Sequence, residues 1–173
     1  MEDQIILVDK KDRTVGTAEK TAVHKEGLLH RAFSVIVFNS KGELLLQQRA
    51  KSKYHCGGLW TNTCCSHPRP GETILKAARR RLFEEMGVDC ELEEIFSFQY
   101  QVTFPNGLTE NEYDHVLVGK SDDLPKPDPK EVDEWKWQDI KTLKSSIKEN
   151  PEIYTYWFKL LIEKLPKKLV GRY

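Results

Sequence analysis

Residues 66–88 carry acidic and basic side chains whose spacing could bind a phosphate group and a divalent cation. The segment reads Ser66-x5-Glu72-x7-Arg80-Arg81-Leu82-Phe83-Glu84-Glu85-Met86-Gly87-Val88. Arg81 and Glu85 are four residues apart, so in a helix they share one face, where a guanidinium could bind phosphate and a carboxylate could bind Mg²⁺. The same spacing is also typical of an ordinary surface ion pair. Spacing alone therefore leaves both interpretations open.

Three histidines and two glutamates could form a second group of metal ligands. His24 and His30 are six residues apart, and His67 follows a pair of cysteines. Glu110 and Glu112 stand at positions i and i+2 of a strand-like run, so their side chains lie on the same side of it. A lone histidine is more commonly satisfied by the protein or by solvent, so this pattern does not by itself establish a metal site.

The adjacent cysteines are expected to point to opposite faces of a strand, because side chains alternate along it. His67 falls on the same side as Cys65, which predicts that Cys65 rather than Cys64 enters a site shared with His67. The chain has four cysteines, the others being Cys56 and Cys90. These are too few for a disulfide scaffold and are expected to be free thiols.

The elements that must position these residues are predicted from periodicity and turn signals. Strand-like runs, several rich in β-branched or aromatic residues, occupy residues 4–8, 32–38, 43–48, 59–65, 92–104, 112–118 and 133–137. Helices are predicted at residues 72–86, 139–148 and 150–165. The basic tail, residues 166–173, is predicted to be disordered surface. Mixed strands and few helices favour an α+β sandwich.

Length and charge favour one domain over residues 1–173 with no standing polyanionic partner. Lys plus Arg equals Asp plus Glu at 27 each, so nothing indicates nucleic acid or an anionic membrane. No apolar run approaches the roughly 18 residues that would span a bilayer, and the acidic N-terminus carries no signal-like apolar region. A cytoplasmic location is therefore expected.

The pattern of residues 66–88 resembles the Nudix box, Gly-x5-Glu-x7-Arg-Glu-aliphatic-x-Glu-Glu-x-Gly-aliphatic. The resemblance implies a Nudix-like mixed β-sheet sandwich flanked by helices. The chain departs from it at Ser66, which replaces Gly, and at Arg81, which replaces the Glu after Arg80. The second departure removes a carboxylate of the kind that binds divalent cations and supplies a phosphate-binding fork, which weakens the prediction of a hydrolase.

Further segments resemble the motifs of type 1 isopentenyl-diphosphate isomerases, and the likeness runs from about Lys20 to Trp157. They are Gln48-Arg49-Ala50-Lys51-Ser52-Lys53, Trp60-Thr61-Asn62-Thr63-Cys64-Cys65-Ser66-His67-Pro68 and Thr109-Glu110-Asn111-Glu112. The resemblance implies isomerisation of isopentenyl diphosphate to dimethylallyl diphosphate. It also implies one divalent cation, Mn²⁺, Mg²⁺ or Zn²⁺, with ligands His24, His30, His67, Glu110 and Glu112.

The same resemblance assigns roles to individual residues. Cys65 and Glu112 match the two proton-transfer groups, and Tyr100 matches a tyrosine that hydrogen-bonds the catalytic carboxylate. Trp157 matches a tryptophan that faces the carbocation, although Tyr100 and Trp157 could equally be core aromatic residues. The expected diphosphate clamp consists of Lys20, Arg49, Lys53 and Arg81, with Mg²⁺ on Glu85. No nucleic acid, membrane or protein partner is implied.

Two other functions remain open on the residues alone. A Nudix pyrophosphohydrolase is supported by the helix carboxylates Glu72, Glu84 and Glu85, but it leaves Cys65 without a role. A catalytically inactive Nudix binding module, or a zinc-stabilised protein with the paired cysteines and His67 as ligands, belongs to a different class.

Overall fold

The computed structural model describes residues 4–53, 55–166 and 169. Its strands are β1 (Gln4–Val8), β2 (Thr14–Glu19), β3 (His30–Phe38), β4 (Glu43–Arg49), β5 (Trp60–Thr61), β6 (Cys64–Ser66), β7 (Leu92–Thr103), β8 (Thr109–Lys120) and β9 (Val132–Asp139). The helices are α1 (Lys20–Glu26), α2 (Ile74–Met86), α3 (Ile140–Glu149) and α4 (Tyr156–Lys164), with a 3₁₀ turn at Pro151–Ile153. This mixed arrangement confirms the predicted α+β class.

Strand β3 organises the sheet. It pairs in parallel with β8, from His30 beside Glu112 to Phe38 beside Lys120. It also pairs antiparallel with β1, β4 and β6. Strands β7 and β8 form a long antiparallel pair in which Tyr100 lies opposite Glu112. These two registers bring residues from three distant segments to one end of β3.

Alternate residues of β3 pack into two separate hydrophobic clusters, as the twofold period of a strand requires. Phe33 and Val35 are fully buried in a cluster with apolar residues of α2. Ile36 and Phe38 are equally buried in a cluster with apolar residues of α4. Strand β3 is therefore covered on both sides, which explains its near-continuous apolar sequence.

Two glycines with positive φ mark boundaries between elements. Gly42 has φ 75° in the turn between β3 and β4, where its N–H donates to Asn39 O at 3.0 Å. Gly87 has φ 64° and closes α2, with its N–H donating to Phe83 O at 2.9 Å. A Cβ at Gly87 would lie 2.7 Å from Lys126 O, so both the positive φ and the nearby backbone disfavour a larger residue there.

The predicted strand at residues 59–65 is wrong as one element, since β5 and β6 are separated by Asn62 and Thr63. Asn62 Nδ2 donates to Cys64 O at 2.7 Å. Thr63 Oγ1 donates to Leu45 O at 2.7 Å. These buried side chains bond to backbone groups that a continuous ladder would otherwise use, which interrupts the strand.

The N-terminal elements β2 and α1 were not predicted. Every residue of β2 is exposed or only partly buried, so no apolar alternation marks the strand. Helix α1 has seven residues, of which only Val23 and His24 are buried, and its N-cap residue makes no side-chain capping bond. Both elements depend on tertiary packing. Their placement brings Lys20 and His24 to the end of β3.

The last predicted helix begins later than expected, because tertiary pairing interrupts residues 150–165. Thr155 N–H donates to Trp60 O at 3.0 Å, and the hydroxyl groups of Thr155 and Thr61 are 2.8 Å apart. This bonding to β5 keeps Thr155 extended, so α4 starts at Tyr156 and carries Trp157 in its first turn.

The predicted surface tail, residues 166–173, lies mostly outside the described residues. Leu169, which is described, is buried in the cluster that contains α4, contrary to the prediction for that position. Within the described part of the chain, no helix has both the length and the apolar character needed to cross a membrane.

Candidate functional site

A cavity opens where β3, β6, β8, α2 and α4 meet. It gathers nearly every residue that the sequence singled out: Lys20, Arg49, Lys53, Cys65, His67, Arg81, Glu85, Tyr100, Glu110, Glu112 and Trp157. The two remaining candidates, His24 and His30, contact the glutamates of the cavity wall. Thus all thirteen predicted site residues belong to one region of the fold.

The predicted His/Glu ligands converge. His24, His30, His67, Glu110 and Glu112 each offer a donor atom, and these atoms all lie within 4.8 Å of one another. Helix α1, strand β3, the segment after β6 and strand β8 supply them. Two carboxylates and three imidazoles form a donor set typical of divalent-cation sites.

Backbone carbonyls orient two of the imidazoles. His24 Nδ1 lies 2.7 Å from Lys20 O, and His30 Nδ1 lies 2.8 Å from Leu28 O. A carbonyl can only accept, so each Nδ1 carries the hydrogen, and in the neutral ring Nε2 offers the lone pair. Such bonds typically fix the orientation of metal-binding histidines. Both Nε2 atoms therefore face the carboxylates as potential ligands.

The cluster fits a divalent cation on its own geometry. His30 Nε2 is buried 3.6 Å from Glu112 Oε1 and 3.9 Å from Glu110 Oε2, which is too far for a hydrogen bond. It has no hydrogen-bond partner among the described residues. A cation between these atoms would satisfy the nitrogen and balance two buried carboxylates. We therefore identify the cluster as a candidate divalent-metal site.

Electrostatics favour the protonation states that metal ligands require at Glu110 and His67, but not at His24. Burial opposes ionisation of Glu110, but its contacts with His24 and His55 outweigh burial and hold the pKa of that carboxyl well below its usual value. Burial lowers the pKa of His67 to about 4, so its ring is neutral at neutral pH. For His24, burial disfavours charge, but Glu110 more than compensates and raises the pKa. A proton on His24 and a metal ion would therefore compete.

Glu112 connects the metal cluster to the rest of the cavity. Tyr100 Oη donates to Glu112 Oε2 at 2.7 Å, and His67 Nε2 lies 3.1 Å from Glu112 Oε1. Burial and the charge of Glu110 raise the pKa of Glu112, but the histidine contacts prevail and the net direction is downward. Glu112 is thus an ionised carboxylate with both oxygens engaged.

The two adjacent cysteines have different environments, as alternation along β6 predicts. Cys65 lines the cavity, whereas Cys64 is fully buried in the cluster that contains α2. Burial raises the pKa of the Cys65 thiol well above its usual range, so the thiol is protonated at neutral pH. All four cysteines are free thiols.

The basic side of the cavity is held in place by carboxylates. Arg81 Nη2 lies 2.6 Å from Glu85 Oε1, which is the i,i+4 contact that the sequence indicates. The Arg81 guanidinium also lies 2.8 Å from Glu84 Oε2 and 3.2 Å from Glu131 Oε1. Glu131 also pairs with Lys53. The side chains of Lys53 and Arg81 are therefore bridged across two segments of the chain by Glu131, a residue that sequence reasoning missed.

Trp157 forms an aromatic wall of the cavity. Its side chain is buried, and the Arg49 guanidinium lies 5.5 Å from its ring centroid. The indole Nε1 is buried with no hydrogen-bond partner among the described residues. Trp157 is therefore held by packing and presents a π surface beside the cationic groups.

His55 is a second residue that sequence reasoning missed. Its Nε2 lies 2.8 Å from Glu110 Oε1. Burial lowers the pKa of His55 more than the contact with Glu110 raises it, so the ring is neutral at neutral pH. No periodic pattern marks His55, because it lies in the loop between β4 and β5. The only signal in the sequence is its proximity to Arg49 and Lys53.

Curated relatives match this chain over nearly all of its length. "Isopentenyl-diphosphate Delta-isomerase 2" of Aromatoleum aromaticum is 53% identical and covers 95% of this chain and 87% of its own. The Delta-isomerase of Serratia proteamaculans is 52% identical, and the match covers 95% of this chain and 92% of the relative. That of Burkholderia multivorans is 50% identical, covering 100% and 98%.

Solved structures share the fold at low identity. A protein of Deinococcus radiodurans superposes with a TM-score of 0.79 at 23% identity, covering 94% of this chain and 98% of its own. A MutT protein of Methanosarcina mazei superposes with a TM-score of 0.66 at 18% identity, covering 83% of this chain and 94% of its own. The NUDIX domain family matches residues 28–160. By that match and by its curated relatives, the chain belongs to the isopentenyl-diphosphate Delta-isomerase family of NUDIX domain proteins.

Proposed function

We propose that this protein converts isopentenyl diphosphate to dimethylallyl diphosphate, the reaction for which its relatives are named. The observation that carries the proposal is the meeting of Cys65 and Glu112 in one cavity with a His/Glu cluster and a basic clamp. We further propose that residues 1–173 act as a single domain around this cavity.

The reaction requires two proton transfers and leaves the diphosphate intact. One proton is added to the terminal alkene carbon, which gives a tertiary carbocation, and another is lost from the neighbouring methylene. Cys65 and Glu112 supply the proton donor and acceptor. The thiol is protonated and the carboxylate ionised, so the pair begins with one transferable proton. Tyr100 holds Glu112 in orientation through its hydroxyl.

The carbocation has no oxyanion that hydrogen-bond donors could stabilise, so an aromatic face is the natural partner. Trp157 provides such a face in the cavity wall. Its ring also lies near Arg49, which belongs to the clamp.

The diphosphate binds to the cationic side of the cavity. Arg49, Lys53 and Arg81, with Lys20, supply guanidinium forks and ammonium groups. Glu85 also lines the cavity, and its carboxylate would hold a Mg²⁺ that accompanies the diphosphate. The His/Glu cluster would hold Mn²⁺, Mg²⁺ or Zn²⁺, and the bound cation would supply positive charge that keeps Glu112 ionised.

The test is incubation of the purified protein and Mg²⁺ with isopentenyl diphosphate, following dimethylallyl diphosphate and free phosphate together. The expected result is dimethylallyl product without phosphate release. Cys65→Ala should abolish product formation, whereas the matched Cys64→Ala variant should retain it. Phosphate release without isomerisation would overturn the proposal in favour of a NUDIX hydrolase.

A further inference from the structure

His55 is a largely buried imidazole that contacts the metal cluster from outside. Its side chain is 9% exposed, and its Nε2 lies 2.8 Å from Glu110 Oε1. It does not belong to the five residues whose donor atoms converge. His55 therefore touches a candidate metal ligand without being one.

The two oxygens of Glu110 face different partners. Oε1 meets His55, whereas Oε2 lies 3.2 Å from His24 Nε2 and 3.9 Å from His30 Nε2. A carboxylate with one oxygen held by a donor presents the other oxygen in a fixed direction. Here that direction is toward the centre of the His/Glu cluster.

Nε2 of His55 must carry a hydrogen, because it lies 2.8 Å from Glu110 Oε1 and a carboxylate oxygen can only accept. Nε2 therefore donates to Glu110. His24 and His30 have the opposite arrangement, since their Nδ1 atoms donate to backbone carbonyls. The two kinds of histidine are therefore suited to different tasks around one carboxylate.

We propose that His55 is a positioning residue for the metal site. Its hydrogen bond holds Glu110 so that Oε2 alone is offered to the cation. The rings of Trp157 and Phe104, with centroids 6.0 and 5.7 Å from that of His55, flank the imidazole. Hydrogen-bond partners of metal ligands commonly change metal affinity or activity 10–100-fold. The inference rests on the metal site of the proposed function and not on the isomerase reaction.

The test compares the Mn²⁺ and Zn²⁺ affinities of the full chain in the absence of substrate, by competition with a chromogenic chelator. His55→Leu removes the donor, and we expect metal affinity to fall about 10–100-fold. In His55→Asn the side chain is too short to place its amide nitrogen at the Nε2 position, so metal affinity should fall by a similar factor. His55→Gln restores a donor near the Nε2 position, and its affinity should stay within about threefold of the wild type.

Circular dichroism of the metal-free variants provides the control for folding, and His55→Asn decides the question if His55→Leu does not fold. Equal affinity in the wild type and His55→Asn would overturn the inference. So would an equal loss in His55→Gln and His55→Asn. A wild type that binds neither ion tightly would overturn the metal site as well. If the protein binds metal but makes no dimethylallyl diphosphate, only the proposed function fails.

Discussion

Two carboxylate-rich regions border the same cavity, and their partners differ. Glu110 and Glu112 are buried and face histidines, whose charge depends on protonation. On α2 and the loop before it, the carboxylates face guanidinium groups instead. Glu72 binds Arg80 through both oxygens, at 2.8 and 2.9 Å, and Glu84 pairs with the neighbouring Arg81.

The His/Glu cluster needs a bound cation to balance its carboxylates, whereas the carboxylates of the α2 region are already balanced by arginines. Guanidinium remains charged at any ordinary pH, so the α2 carboxylates are balanced within the chain. Neutral imidazoles cannot balance Glu110 and Glu112, which leaves that charge to protons or to a metal ion. We infer that the helix matching the NUDIX pattern serves here to hold cationic groups for phosphate, with Glu85 available to a Mg²⁺ that arrives with the diphosphate, while the cation that the chain itself requires belongs to the histidine cluster.

The largest expected effect is at Glu112, where the two functions meet. Glu112→Gln keeps the shape and an acceptor for Tyr100 but removes the proton-accepting charge. We expect kcat/KM for isopentenyl diphosphate to fall about 10³-fold, within the range of general acid–base catalysis. Steady-state kinetics measure this. Glu93→Gln, on an exposed position of β7, is the control and should leave the rate unchanged.

The second prediction concerns the acid stability of the histidine cluster. The pKa of His67 is lowered to about 4 from 6.5, so the unfolded chain binds more protons between these values. The free energy of unfolding therefore falls as the pH drops from about 6.5 toward 4, because the folded state resists protonation of His67. The loss from this histidine is at most about 3 kcal/mol. Urea unfolding of metal-free protein across this window measures it, and His67→Gln should flatten the profile. Parallel profiles for both proteins would contradict the prediction.

The third prediction tests the phosphate role of α2. Arg81→Gln removes a charge that faces the cavity, and we expect KM to rise about 10–100-fold, the equivalent of one charge-assisted hydrogen bond. Arg79→Gln on the same helix is the matched control, because Arg79 is exposed and pairs with Asp89 and Glu91. An unchanged KM in Arg81→Gln would remove Arg81 from the clamp.

The smallest effect is expected at the outer ion pair of α2. Arg80→Gln breaks the contacts with Glu72 and Glu84, which are partly exposed. We expect a loss of about 0.5–1 kcal/mol in the free energy of unfolding, measured in urea, and less than a twofold change in KM. A tenfold loss of activity would instead place this pair in the substrate site and erase the distinction between the two regions.

Local patterns were sufficient for most of the fold. The predicted strand at residues 32–38 and the predicted helix at residues 72–86 correspond to β3 and α2, because both depend on the propensity and period of neighbouring residues. The same holds for Glu110 and Glu112, whose common direction follows from strand geometry. The predicted bounds were wrong where distant contacts decide an element. Asn62 Nδ2 donates to Val35 O and Thr155 N–H donates to Trp60 O, and these bonds to other segments interrupt a regular pattern.

The sequence by itself determined the chemical inventory of this protein: the histidines, the paired carboxylates, the thiol beside His67 and the arginine in place of a glutamate on α2. Only the tertiary structure decided which of these groups touch. The β3–β8 register brings His30 beside Glu112 across 82 positions of sequence, and the loop before β5 brings His55 to Glu110. Such contacts depend on how distant segments pack together, which no local period encodes.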